Sequence, residues 1–252
     1  MDAYVYGVIR AGAAERSPGE GIDGQSVELA TYDGLAALVS DAPDVPVKAS
    51  RRNLMAHSRV LQSVIAETCV LPMRFGVVMP SREAVEAELL GANRELLEDH
   101  LRALDPYVEL DVRGLLAEHE LLQTVVAERP DIARLRASIE GRPVESTYHE
   151  SIRLGELVAH AVADKREAIA QRILGELEPL AAAARDGELL HEQMVANVAF
   201  LVERERVGEF DAAVDALGRE LSDPEVRVRY LGPLPPHNFV DLASETEARA
   251  WA

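Results

Sequence analysis

Apolar and polar positions in the first forty residues predict a small sheet. Residues 4–9 (YVYGVI) form an uninterrupted apolar and aromatic run, which is typical of a strand buried on both faces. Two further β-rich runs, 27–32 and 35–40, flank Asp33 and Gly34. Because Asp-Gly suits the left-handed backbone of a two-residue turn, these runs predict a hairpin.

Helical periodicity then appears twice, with a strand-like run between the two helices. Ser50 is placed to cap a helix of 50–68, whose inward positions would be Leu54, Leu61, Val64 and Ile65, with His57 near the edge. The run VLPMRFGVV, 70–78, predicts a strand in which Pro72 favours a sheet edge or a bulge, since proline has no N–H donor. The pair Pro80-Ser81 opens a second helix, which Asp105-Pro106 ends.

The second half of the chain predicts a second order of strands and helices. The predicted elements are a strand at 107–114, helix at 115–140 interrupted by Pro130, helix at 147–185, a hairpin or one long strand at 189–203, helix at 208–221 and a strand at 226–231. If 189–203 is a hairpin, the order is β-α-β-β-α-β, that of a ferredoxin-like domain. We therefore predict an α+β protein with two domains, 1–105 with a small, mostly antiparallel sheet and 106–252 with the ferredoxin-like fold and a long helix.

Charge excludes some classes of partner. Asp and Glu number 44 against 26 Lys and Arg, for a net charge of −18, so the chain repels nucleic acid at long range. The start of the chain does not resemble a secretory leader, and no apolar run reaches the ~18 residues that span a bilayer. We expect a soluble, monomeric cytoplasmic protein with no nucleic-acid or membrane partner.

Residues that could perform catalysis are scattered. No phosphate-binding, dinucleotide-binding or nucleophile-elbow motif is present, and the carboxylates fall on the outward faces of helices. Glu156 and His160, four residues apart, fit a surface pair better than a metal site. The single cysteine, Cys69, begins an apolar run and fits a buried side chain. We predict no catalytic site, metal or cofactor.

Arg74 is the one charged residue inside the apolar run 70–78. Three interpretations stay open: it points to solvent, it pairs with a carboxylate in the core or at the domain junction, or it contacts a partner.

Several blocks of this sequence resemble one known family. The blocks are YVYGVI (4–9), LAALVSDAP (35–43), VLPMRFGVV (70–78), NVAFLVERERVGEFDAAVDAL (197–217) and YLGPLPPHNFV (230–240). In this order they resemble the GvpF/GvpL gas vesicle accessory proteins over nearly the whole chain. The chain departs from the family where Leu234 replaces a common Trp and His237 a common aromatic residue.

The resemblance implies a non-enzymatic role in assembling gas vesicles, the hollow protein shells that give cells buoyancy. It implies binding to the very hydrophobic major shell protein and to other gas vesicle accessory proteins, with a location in the cytoplasm and at the gas vesicle. The partner-binding candidates that follow from the two unusual motifs are Arg74, Phe75, Leu234, His237 and Phe239.

Other functions are compatible with the predicted fold. A ferredoxin-like sheet could serve a small-molecule-sensing regulator, scattered His and Glu could serve an enzyme, and residues 233–236 fit a PxxP ligand. We favour a structural interpretation of the last motif. Gly232 permits a turn, the prolines blunt the sheet edge, and Phe239 and Val240 fold back as an apolar clasp.

Overall fold

The computed structural model describes residues 1–13, 18–42, 46–116, 118–221 and 226–240. The chain forms two compact units, 1–110 together with 232–252, and 111–231. The sequence predicts a boundary at 105, with the C-terminal segment in the second domain. In the structure the described part of that segment, 232–240, groups with the first unit.

The first unit contains the predicted small sheet and the helices that cover it. Its elements are β1 (Ala3–Arg10), β2 (Glu28–Tyr32), β3 (Leu35–Asp41), α1 (Arg51–Ile65), β4 (Leu71–Pro72), β5 (Val78–Met79), α2 (Arg82–Ala84, continued by π-helical turns over Val85–Gly91), α3 (Arg94–Leu104) and the start of β6 (Tyr107–Leu116). The strand order is β2-β3-β1-β4, with β5 also paired to β1. Because β1 lies inside this sheet, seven of its eight residues are buried, as its apolar run predicts.

The hairpin and the first helix follow from local sequence. Asp33 and Gly34 both have positive φ, 40° and 87°, as the two-residue turn between β2 and β3 requires. The Ser50 hydroxyl accepts a hydrogen bond from the Asn53 amide at 3.2 Å and caps α1. The orientation of α1 differs from the prediction, because Leu54 is exposed whereas His57 is buried.

The second unit has the predicted order of elements but different boundaries. Its elements are the rest of β6, α4 (Glu118–Glu128), α5 (Pro130–Ile139), α6 (Tyr148–Leu177), β7 (Ala183–Asp186), β8 (Met194–Glu203), α7 (Val207–Glu220) and most of β9 (Val226–Leu234). The four strands follow the order β7-β8-β6-β9. Pro130 opens α5 at its first turn, where its missing N–H costs nothing.

Two predicted elements of the second unit are corrected by the structure. The long helix ends at Leu177, near Pro179, and Ala183–Asp186 is a strand antiparallel to β8. Of the two alternatives for 189–203, the run therefore contains one strand, β8. Its hairpin partner is β7, and 187–193 is the loop between them. Alanines at 181–184 suit a helix by propensity, but pairing with β8 decides their conformation.

Each unit has its own apolar core. Phe200 of β8 and Phe210 of α7 are fully buried, with ring centroids 5.3 Å apart, in the second unit. The inward positions predicted for α7 are all buried: Phe210, Val214, Leu217 and Leu221. Cys69 of the first unit is buried, as its apolar neighbours predict.

Candidate functional site

The run 70–78 forms two short strands with a loop between them, rather than the single strand predicted. Both strands pair with β1, with Val8 opposite Leu71 in β4 and Tyr4 opposite Val78 in β5. Residues 73–77, which we call the anchored loop, leave the sheet between these two pairings. The position of Pro72 in β4, at the end of the sheet order, agrees with its missing N–H donor.

Backbone hydrogen bonds fix both ends of the anchored loop to β1. The Met73 amide donates to the Tyr6 carbonyl at 2.8 Å. At the other end the Val5 amide donates to the Val77 carbonyl at 3.0 Å. The loop is therefore a large bulge on the strand edge whose ends cannot slide along β1.

A chain of buried side-chain hydrogen bonds holds the middle of the loop. The Met73 carbonyl can only accept, so His57 Nε2, 3.2 Å away, carries a proton and donates it. In the neutral ring Nδ1 then accepts from the Tyr4 hydroxyl at 2.9 Å. The Tyr4 oxygen in turn accepts from the Gly76 amide at 3.0 Å. Every polar atom of the His57 ring and the Tyr4 hydroxyl is thus engaged in fixing this loop.

The ionisation of these two side chains agrees with that hydrogen-bond pattern. Burial lowers the pKa of His57 to about 4, with a smaller lowering effect from the His237 imidazole. Burial also raises the pKa of the Tyr4 phenol above its usual value. Both groups are therefore neutral at physiological pH, as the chain from Gly76 to Met73 requires.

Aromatic packing adds to the rigidity of this cluster. The Phe75 ring lies 5.8 Å from the His57 ring and 6.1 Å from the Tyr4 ring, both edge-on, which is a favourable geometry. Tyr6 packs against Tyr4 at 4.8 Å and shares a hydrogen bond of 2.9 Å with the Ser40 hydroxyl. The backbone of Arg74 and Phe75 is therefore supported from below by β1 and α1.

The C-terminal motif is held in the first unit by a polar clasp. Glu109 of β6 is buried, and its carboxylate accepts from the Asn238 amide at 2.7 Å and from the Asn238 side chain at 2.8 Å. Pro235 and Pro236 are buried, whereas Phe239 and Val240 are half-buried. Asn238 thus adds a specific polar contact to the expected clasp.

Gly232 has a different role from the turn that was expected. It lies inside β9, which continues to Leu234, and a Cβ there would stand 2.5 Å from the Leu110 side chain. Glycine is required at this position because β9 approaches β6 closely, and not because the chain reverses.

The predicted binding residues differ in exposure. Arg74 and His237 are exposed, and Phe75, Leu234 and Phe239 are half-buried. The structure brings Phe75 against His57 and places His237 near enough to lower the pKa of His57. The Arg74 side chain is exposed and makes no hydrogen bond or ion pair with any residue that the structure describes. Of the three interpretations, pairing with a carboxylate therefore fails among the described residues, while the solvent-facing and partner-binding interpretations both stay open.

Four residues of this site were not identified from the sequence: Tyr4, His57, Glu109 and Asn238. Tyr4 and His57 lie on apolar faces in sequence, and nothing in their spacing indicates that they meet. Glu109 also gives no signal, because it shares with Asp111 the polar phase of an alternation whose apolar phase is Val108, Leu110 and Val112.

Metal clusters and membrane-spanning helices are both absent from the part of the chain that the structure describes. Its His, Cys, Asp and Glu side chains form no group of three or more that could hold a metal ion. None of its helices is both long enough and apolar enough to cross a membrane.

Comparison with known proteins defines the class of protein to which this fold and site belong. Residues 2–241 match the family model described as gas vesicle synthesis protein GvpL/GvpF. The chain belongs to this family.

Individual relatives extend that finding over the whole length of the chain. It is 38% identical to gas vesicle protein F of Streptomyces sp. (strain CB03234), covering 96% of this chain and 100% of that protein. It is 28% identical to gas vesicle protein L of the same strain, covering 96% and 94% of the two chains. The crystal structure of GvpF from Anabaena sp. PCC7120 superposes with a TM-score of 0.79 at 27% identity, covering 96% of this chain and 99% of that one. The two-sheet α+β fold is therefore that of solved GvpF structures.

Proposed function

We propose that this chain is a non-enzymatic accessory protein of gas vesicle assembly that binds the major shell protein. The binding face that we assign consists of Arg74 and Phe75 of the anchored loop, with Leu234, His237 and Phe239 of the C-terminal motif. Family membership supports the gas vesicle role. The geometry of the anchored loop supports the choice of face.

The observation that carries this assignment is that the backbone of the anchored loop is firmly held, although the Arg74 side chain takes no part in holding it. Tyr4 and His57 form a fully satisfied buried network, of the kind that fixes one conformation. Arg74, at the centre of the held loop, is exposed and has no partner among the described residues. A loop held in this way presents its charge at a defined position, as a binding residue requires.

The chemistry of this face suits a hydrophobic partner that also carries carboxylates. Phe75, Leu234 and Phe239 are half-buried, so each keeps some apolar surface in reach of a partner. Arg74 supplies a cation in a chain of net charge −18, where it can select the orientation of the partner by pairing with one carboxylate. The net charge itself limits aggregation while an apolar surface is covered.

The test is whether the chain keeps the shell protein dispersed, and whether this needs Arg74. Purified major shell protein is diluted from denaturant into buffer with and without this chain, and light scattering is followed. We expect the wild-type chain to suppress scattering and Arg74→Glu to require at least a tenfold higher concentration for the same suppression.

The matched control is Arg59→Glu, which makes the same charge change at an exposed position of α1. If the wild-type chain neither suppresses scattering nor associates in calorimetry, direct binding of the shell protein is refuted. If Arg74→Glu and Arg59→Glu weaken suppression equally, binding stands but the assigned face is wrong.

A further inference from the structure

The second unit contains an open apolar groove on its surface that no described side chain fills. The groove has a volume of about 510 Å³ and lies between α4, α6 and the loop 187–193. Its lining is mostly aliphatic and includes Leu116, Leu121, Leu122, Val162, Leu189 and Val195. Leu116, Leu121 and Val195 are buried and form its floor, whereas Leu122 is 38% exposed at its side.

The loop at the edge of the groove, 187–193, which we call the leucine loop, exposes two large apolar side chains. Leu189 is 50% exposed and Leu190 66% exposed. Leu189 also lines the groove, so its exposed side chain extends the apolar surface of the groove, and Leu190 is its neighbour in the chain. Contiguous exposed apolar surface marks interaction sites.

Polar side chains hold the leucine loop in place at both ends. The Asn197 side chain donates to the Glu188 carbonyl at 2.9 Å, and its oxygen accepts from Arg113 at 3.2 Å. At the other end the Arg166 guanidinium donates to the Glu192 carbonyl and, at 3.0 Å, to the Met194 carbonyl. The exposure of Leu189 and Leu190 is therefore a property of a fixed loop.

The segment of α6 that lines the groove is long enough, and its side chains are small enough, for a partner helix to pack against it. The α6 residues that line the groove run from Ala159 to Ala170, which is about 16 Å, or three helical turns. Ala159, Ala163 and Ala170 lie on this wall, and their small side chains allow the backbone of a partner helix to approach closely.

The charges at the groove indicate the chemistry of the partner. Glu167 and Glu192 are among the lining residues, whereas Arg166, the cation among the described ones, directs its guanidinium at loop carbonyls. The chain as a whole carries a net charge of −18. An apolar channel bordered by carboxylates is complementary to a helix with an apolar face and basic residues along its edge.

We propose that this groove is a second docking site, which binds an amphipathic helix of a partner protein with basic residues flanking its apolar face. This site is separate from the face assigned to the shell protein and does not depend on that assignment. The groove would bury the apolar face of the helix against Leu121, Val162 and Val195, with Leu189 and its exposed neighbour Leu190 at the edge.

The test uses the full chain and a synthetic 14-residue Leu/Lys peptide that forms a helix with one leucine face. We expect calorimetry to show one site per chain. The same leucine pattern with Glu in place of Lys should bind at least tenfold more weakly, and a scrambled Leu/Lys peptide of identical charge should also bind at least tenfold more weakly. Equal binding of the parent and scrambled peptides would show attraction by net charge alone and would overturn the proposal.

Two variants locate the site. Leu189→Ser with Leu190→Ser should raise the Kd at least tenfold, whereas Leu54→Ser, at an exposed leucine of the first unit, should leave it within twofold. Glu192→Lys should weaken binding several-fold compared with Glu95→Lys on α3. If both leucine variants bind alike, the groove is not the site.

Sedimentation of the same variants separates this proposal from self-association. A monomeric wild-type chain at the concentrations used supports a groove available to another protein. A wild-type dimer that the Leu189→Ser/Leu190→Ser change converts to a monomer would mean that a second copy occupies the groove, which overturns the proposal.

Discussion

The anchored loop, 73–77, and the leucine loop, 187–193, are both fixed by side-chain hydrogen bonds, but they differ in the burial of those side chains and in the residues that they expose. Each is a short connection next to a sheet, and each is fixed by side chains that bond its backbone carbonyls. In the first, the buried His57 ring bonds Met73, and the residue presented to solvent is Arg74. In the second, the partly exposed Asn197 and Arg166 do the bonding, and the residues presented are Leu189 and Leu190.

This difference shows how a connection without regular structure can still present a defined surface. A buried neutral network is strong because the low dielectric strengthens its hydrogen bonds, but any loss within it leaves orphaned polar groups. A network near solvent is weaker, and water can replace a missing partner. The two loops should therefore respond very differently to removal of the residue that holds them.

The largest effect is expected from His57→Ala. It opens a cavity under the anchored loop and leaves the Tyr4 hydroxyl and the Met73 carbonyl without their partner, so the free energy of unfolding should fall by about 4 kcal/mol. Urea denaturation measures this. The matched change at the leucine loop, His191→Ala, removes an exposed ring and should cost less than about 0.5 kcal/mol. If His57→Ala and His191→Ala lowered the free energy of unfolding equally, His57 would not be the side chain that stabilises the anchored loop.

The next largest effect is a pH dependence of the free energy of unfolding, which arises from His57 beneath the anchored loop. The pKa of His57 is lowered from 6.5 to about 4 in the folded protein, so between these values the unfolded chain binds the proton more readily. Stability from this group is therefore complete above about pH 6.5 and is lost as the pH falls towards 4, by up to about 3 kcal/mol.

The measurement for this prediction is the difference in unfolding free energy between the wild-type chain and His57→Gln from pH 7 to pH 4. Subtraction removes the contribution of the many carboxylates, which titrate in both proteins. We expect the wild-type chain to lose stability faster than the variant as the pH falls. Parallel curves would show that His57 is not a buried neutral group.

The smallest effect is expected at the leucine loop. Asn197→Ala removes the bonds to Glu188 and Arg113 near solvent, so it should cost only about 1 kcal/mol, while amide exchange across 187–193 should accelerate at least tenfold. Asn197→Asp keeps the acceptor for Arg113 but loses the donor to Glu188. It should therefore accelerate exchange similarly at a smaller cost in stability, and unchanged exchange in both variants would show that Asn197 does not hold the loop.

Some elements were predictable because short-range physics decides them. The Asp33-Gly34 hairpin, the Ser50 cap and the Pro130 break each depend on the backbone preferences of one or two residues. The apolar face of α7 was predictable because its period is regular and one side faces the core. The family motifs could be identified from the sequence because each one is a contiguous block of residues.

The errors occurred where a distant pairing overrides local preference. Ala183–Asp186 reads as helix but pairs with β8, and 70–78 reads as one strand but is split by a loop that β1 and His57 fix. His57 itself was assigned to the edge of α1, because helical periodicity does not reveal a partner on β1.

The sequence by itself determined the α+β class, the order of the elements, the acidic surface and the membership of the gas vesicle family indicated by its motifs. Only the tertiary structure decided that Tyr4 and His57, 53 residues apart, hydrogen-bond to each other and to the backbone of the anchored loop. It likewise decided that Asn238 closes on Glu109, 129 residues earlier, and that two leucines stay in water beside a groove. The physical reason is that periodicity and turn preferences act over a few residues, whereas burial and hydrogen-bond satisfaction depend on which distant segments meet.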